Sequence, residues 1–218
     1  MKLQKPPPFT SWKTIFALKR YRVAKFKQRR QIKTRAFLGT LQHVKIGGCT
    51  GLCFTWVARH RRWPGEQGGQ RIDFMNTDQA WAEINLFAQF FNSAPALGSH
   101  ADRIARVAPR GCGMRRGPWI DEQDYRAFGT TLAHFATYRG YHIVEMAFNE
   151  DAPNHICALH TSIAGLRFFD PNSGEYAVPP GKEAAFLGAL TQQYRGYVSP
   201  AGETLQLTFK HLYFYHID

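Results

Sequence analysis

No Asp or Glu precedes Glu66, while Lys and Arg crowd residues 2–35, so much of the formal net charge of +12 gathers at one end. That imbalance suits an anionic partner: nucleic acid, an acidic membrane surface or an acidic protein. Cysteine is scarce, with four irregularly placed residues. This excludes a disulfide framework of the kind that staples small secreted domains. Cys49 and Cys53 fall on one predicted helix, a poor geometry for bridging each other, so free thiols are expected. No apolar run reaches the roughly 18 residues that a spanning helix needs. The start, MKLQKPPP, lacks the apolar core of a secretory signal. Neither a membrane span nor a Sec signal is therefore expected, and no internal repeat is present.

What the chain does have is enough apolar sequence for a full core: 44% of its 218 residues. Residues 1–38 read as a basic, partly disordered arm and 39–218 as one domain. Within the arm, Ser11 is expected to cap a helix running to about Arg30, with Trp12, Ile15, Phe16, Lys19 and Val23 on one face. A basic amphipathic helix of this kind can lie on anionic lipid. It also carries aromatics among its cations, although no named nucleic-acid motif appears. Residues 31–44 read as a connector or short strand. A helix from Cys49 ends near Arg62, where Trp63, Pro64 and Gly65 break it. An extended piece is predicted at 70–74, then a helix capped by Thr77 or Asp78 through about Phe91. A weak helix follows at 99–107, a loop at 109–118, and a helix from Asp121 to about Tyr138. The period then shortens. Strands are predicted at 141–148, 155–161, 166–170 and 176–178, a helix at 182–194, and closing strands at 205–209 and 212–216. Helices first and a sheet afterwards make an α+β layout.

The chemistry centres on residues 47–56, GGCTGLCFTW. Gly47 and Gly48 allow a sharp turn into a helix whose Leu52, Cys53, Trp56 and Val57 form an apolar stripe. Cys49 then stands at the helix N-terminus, where unpaired N–H groups and the helix dipole favour a nucleophilic thiolate. The same N–H groups can hold an oxyanion. Far downstream, His155 begins one predicted strand and Asp170 ends the next. A hairpin brings those two together, as suits a carboxylate that orients an imidazole toward a thiol. His160, five residues on, points to the other face.

These residues resemble the YopT/AvrPphB family. The resemblance rests on Gly48 and Cys49 opening a helix, on His155 followed by Ile156 and Ala158, and on Phe168, Phe169, Asp170, Pro171 and Asn172 with Gly174 and Glu175. It spans roughly residues 44–178. The family's members are papain-like cysteine proteases that bacteria inject into host cells. The resemblance implies Cys49 as nucleophile, His155 as general base and Asp170 as the orienting acid. It implies a Cys-bearing helix packed on a C-terminal antiparallel sheet, and a second oxyanion donor just upstream of Cys49, for which Gln42 and His43 are the polar candidates. It further implies a host protein as substrate, and passage from the bacterial cytoplasm into the host cell.

Other readings stand beside this one. Cys49 can be a buried structural thiol, as free cysteines commonly are. The same triad serves transglutaminases and deamidases, so acyl transfer is the broader expectation. A non-catalytic module that binds anionic membrane or nucleic acid through the arm is a third reading. Zinc is disfavoured, because Cys49 and Cys53 lie on a helix rather than in a tight turn, and His155 and His160 face opposite ways. Neither metal nor cofactor is required.

Overall fold

The computed structural model describes residues 12–35, 48–92, 102–104, 116–122, 138–148, 154–194, 196–198, 204–206 and 209–217. Between Gly140 and Val178 the chain runs through four antiparallel strands: β3 (Gly140–Phe148), β4 (His155–Ser162), β5 (Gly165–Asp170) and β6 (Gly174–Val178). Short-period apolar segments split by turn residues had predicted all four. Gly174 opens β6 at a φ of 125°, and a Cβ there would stand 2.1 Å from the carbonyl oxygen of Ala24, so a side chain is barred on both counts.

These strands are the middle of a seven-stranded sheet. One edge is β1 (Arg22–Lys25), paired to β6; the other side adds β9 (Phe209–Ile217) against β3 and then β2 (Arg116–Glu122). Every pairing is antiparallel. A separate small ribbon joins β7 (Gly196–Val198) and β8 (Thr204–Gln206).

Helices cover both faces. On one, α3 (Gly48–Arg62), α4 (Gly68–Met75) and α5 (Asp78–Asn92) bury Trp56, Ile72, Trp81 and Ile84 with the sheet residues Ile143, Ile156, Ala158 and Phe169. On the other, Leu18 of α1 (Trp12–Lys19) and Phe186, Leu187 and Leu190 of α6 (Glu183–Tyr194) pack on Val144, Cys157, Leu159 and Phe168. Strand side chains alternate faces, which is why neighbouring residues of β4 and β5 serve different cores. No described helix is long and apolar enough to cross a membrane.

Three expectations are corrected. The basic stretch is not one helix to Arg30. It is α1, then β1, then α2 (Gln28–Arg35). Its buried residues are Leu18, Tyr21 and Phe26, while Phe16 and Val23, expected inward, are 64% and 45% exposed. Backbone pairing with β6 overrides local helical spacing here, and Ala177 N–H donates to Tyr21 O at 2.8 Å. Residues 70–74 are helical, not extended: Gln70 Oε1 accepts from Gln67 N–H at 2.9 Å and starts α4. The bare backbone of Gly68 lets α4 approach Val23 and Glu175. Residues 116–122, read as a loop leading into a helix, are the edge strand β2. Its register shifts between Arg116 and Trp119, the interval that holds Pro118, and an edge or a bulge is where a strand tolerates proline. The remainder of that predicted helix, at 123–137, lies outside the described residues, as do residues 1–11.

A buried ion pair ties the helical layer to the sheet. Glu175 of β6 accepts from Arg71 Nε and Nη2 at 3.0 and 2.9 Å and from Trp56 Nε1 at 2.8 Å. Both charged groups are almost wholly out of solvent. Replacing Glu175 with Ala leaves the buried Arg71 charged with only Glu66, 3.8 Å from Nη1, to offset it, so unfolding free energy should fall by about 3 kcal/mol. Urea denaturation checks this; a midpoint equal to wild type would contradict it.

Candidate active site

Cys49 lies in the first turn of α3, where backbone N–H groups lack intrahelical partners. Two local contacts place that turn. One turn further on, the Cys53 thiol donates to the carbonyl oxygen of Ile156 at 3.3 Å, one residue past His155. Burial pushes the Cys53 thiol well above its usual pKa, which keeps this proton in place. At Gly51 a Cβ would stand 2.5 Å from the backbone oxygen of Ile84, so only glycine lets α3 and α5 come this close. Of the three described cysteines, Cys53 and Cys157 are buried and Cys49 is partly reached by solvent.

The imidazole of His155 is held by the end of β5. Its Nε2 lies 2.9 Å from Asp170 Oδ1. An ionised carboxylate only accepts, so Nε2 carries the proton and donates it. The opposite nitrogen, Nδ1, is thereby turned away from Asp170, and Cys49 lies close enough to the ring to favour its charged form. Asn172 Nδ2 stands 3.5 Å from Nδ1, a weak contact at the edge of bonding distance. Burial alone would lower the pKa of His155. The hydrogen bond with Asp170, then the neighbouring Cys49, together with their charges, outweigh it and raise the value to about 9.

Asp170 is wholly buried. Its Oδ1 also accepts from Asn172 N–H at 2.8 Å. On Oδ2 it accepts from Ser173 Oγ, and from Tyr194 OH at 2.7 Å. Ser173 in turn accepts from Tyr176 OH at 2.8 Å. Burial would raise the carboxyl pKa, but His155, Ser173 and Tyr194 together bring it below the usual value. Burial and the Asp170 charge push Tyr194 well up, so it remains a donor. Its ring also lies against the imidazole, with centroids 5.2 Å apart.

The structure thus joins His155 to Asp170 by a hydrogen bond and places Cys49 near the imidazole. It turns His160 to the opposite face, where the ring meets His60 and Tyr141 with centroids 4.8 and 4.5 Å apart. Burial, then Arg167 and Arg71, lower the pKa of His160. Gln42 and His43 lie outside the described residues, as does Cys112. Two side chains were missed. Ser173 follows Asp170 in a turn, where a serine is ordinary. Tyr194 carried no signal, because it reaches Asp170 from the last turn of a helix.

Cys157 is packed in the core. Its donor atom nevertheless falls within 4.8 Å of those of His155 and Asp170, an arrangement of metal-ligating types. The donor chemistry fits poorly. Burial raises the Cys157 thiol well above its usual pKa, whereas a metal takes the thiolate. The Asp170 oxygens are already engaged by His155, Asn172, Ser173 and Tyr194.

No family model and no curated sequence matches the chain. Among solved structures, the fold is similar to that of the Pseudomonas avirulence protein AvrPphB. The TM-score is 0.67 over 92% of this chain and 99% of that one, at 15% identity. The α+β, AvrPphB-type fold expected from the motifs is therefore the fold of this chain.

The His155 shift makes stability pH-dependent. Its folded pKa of about 9 exceeds the ordinary 6.5, so the folded state holds a proton that the unfolded state releases first. The stabilisation is complete below pH 6.5 and is lost as pH rises through about 9. At roughly 1.4 kcal/mol per pKa unit, about 3 kcal/mol is at stake. Urea unfolding from pH 6 to 10 should show this decline in wild type and not in His155→Gln. Equal slopes in the two proteins would contradict it.

Proposed function

We propose that this chain is a papain-like thiol endopeptidase acting on a protein substrate, with Cys49 as nucleophile, His155 as general base and acid, and Asp170 as orienter. The observation that carries the reading is the imidazole of His155, hydrogen-bonded through Nε2 to the buried Asp170 and with Cys49 close by. The imidazolium of His155 holds the proton taken from Cys49, and the thiolate sulfur attacks the peptide carbonyl carbon. The carbonyl oxygen becomes an oxyanion, stabilised by the Cys49 backbone N–H and by a side-chain donor, Gln42 or His43. His155 then gives its proton to the departing amine, leaving an acyl-thioester. Water, deprotonated by His155, releases the acid and restores the thiol. Asp170 keeps the imidazole in one tautomer throughout and offsets its charge when protonated. The resemblance of the motifs to the YopT/AvrPphB family supports a host protein as substrate and delivery into a host cell.

Three outcomes test the assignment. Cys49→Ala should abolish casein hydrolysis while circular dichroism stays native, and retained turnover would sink the proposal. Iodoacetamide should label Cys49 and spare Cys53 and Cys157, both buried and both with raised pKa values; comparable rates at all three would contradict it. One of Gln42→Ala and His43→Ala should lower kcat by about 10²–10³-fold with KM little changed. Wild-type kcat in both variants would remove these two residues from the oxyanion hole.

A further inference from the structure

Beside the catalytic turn lies a concavity of about 560 Å³ that uses cations from the basic stretch. Lys25, Lys27, Arg30 and Arg35 line it with Phe26 and Asn76, and among the described residues none that lines it is acidic. Arg35 is fixed in place: Nε lies 3.3 Å from Asp78 Oδ1, Nη2 donates to the Asn76 carbonyl, and the guanidinium lies over the Trp81 ring. Asp78 is itself mostly in solvent and screens little of that charge. Lys25, Lys27 and Arg30 are exposed and form no ion pair among the described residues. Like charges around one concavity repel each other and focus a positive potential into it, a cost that an anionic occupant removes.

The groove is attached to the catalytic turn. Phe26 N–H donates to Ser173 O at 3.4 Å, and Gln28 N–H donates to Pro171 O at 2.8 Å. Between those two acceptors lies Asn172, whose side chain reaches His155.

We infer that this groove seats an acidic segment of the polypeptide substrate, its carboxylates pairing with the exposed Lys25, Lys27 and Arg30. The inference rests on the protease reading for the word substrate, and on charge and shape for the acidic peptide. Among the described residues the aromatic that lines the groove is Phe26, only 2% exposed, so it offers bases no stacking face. A concave site also fits a chain better than a bilayer surface.

The test uses the full chain and fluorescein-labelled decaglutamate, read by anisotropy. Wild type and Cys49→Ala should bind it alike, and binding should weaken with added salt. The triple variant Lys25→Glu, Lys27→Glu, Arg30→Glu should weaken it by about tenfold or more. Circular dichroism and Cys49 alkylation report its folding, and Arg30→Gln alone replaces it if the triple variant does not fold. In parallel, cleavage of a proteome-derived peptide mixture should show Asp and Glu enriched near the cut for wild type but not for the folded groove variant. Absent decaglutamate binding, or equal binding by wild type and groove variant, overturns the inference. So does preferential binding of poly(U) RNA or phosphatidylserine vesicles through the same residues. Decaglutamate binding by a chain that cuts no peptide keeps the groove as an acidic-peptide site and removes the protease reading alone.

Discussion

The carboxylate of Asp170 has no access to solvent, yet it remains ionised because four donors converge on it: His155 Nε2, Asn172 N–H, Ser173 Oγ and Tyr194 OH. A buried charge survives only with such partners. The hydrogen bond to His155 does two jobs at once. It fixes which ring nitrogen carries the proton, and it compensates the positive charge that the imidazole takes on. Remove it, and the nitrogen left for Cys49 is no longer determined.

Much of the surrounding architecture can be understood as support for that bond. The turn at 171–173 is held from outside by the backbone of Phe26 and Gln28. It is held from the opposite sheet face by Tyr194 of α6. The Cys-bearing helix is keyed into position by the Cys53 thiol on Ile156 O and by the missing side chain at Gly51. Glu175, five residues past Asp170, anchors the helical layer through Arg71 and Trp56. One strand-turn-strand unit therefore carries the orienting acid of the candidate site and the ionic tie that fastens the helical layer to the sheet.

The legible parts of the sequence were those whose partners lie close along the chain. Strands β3 to β6 are joined by turns, so alternation and turn residues sufficed. The helices from Gly48 and Asp78 announce themselves by a glycine turn and by Thr77, whose hydroxyl does accept from Ala80 N–H. Legibility failed where distant pairing decides. Residues 22–25 become strand because β6 is there to receive them, and 116–122 because β9 is. Within the site, cysteine, histidine and aspartate could be found from residue type and order. Tyr194 and Ser173 could not, because an ordinary helical tyrosine and a turn serine look the same whether or not they hold a buried carboxylate.

The claim at the centre is that one imidazole answers to two partners, Asp170 and Cys49. Nitrogen-15 NMR of the His155 ring, titrated in wild type and in Cys49→Ala, measures it directly. The account predicts that wild-type His155 stays protonated to about pH 9. In the variant the midpoint should fall, because one of the two groups favouring the charged ring is gone. Identical titrations in the two proteins, or a neutral wild-type imidazole at pH 7, would contradict it.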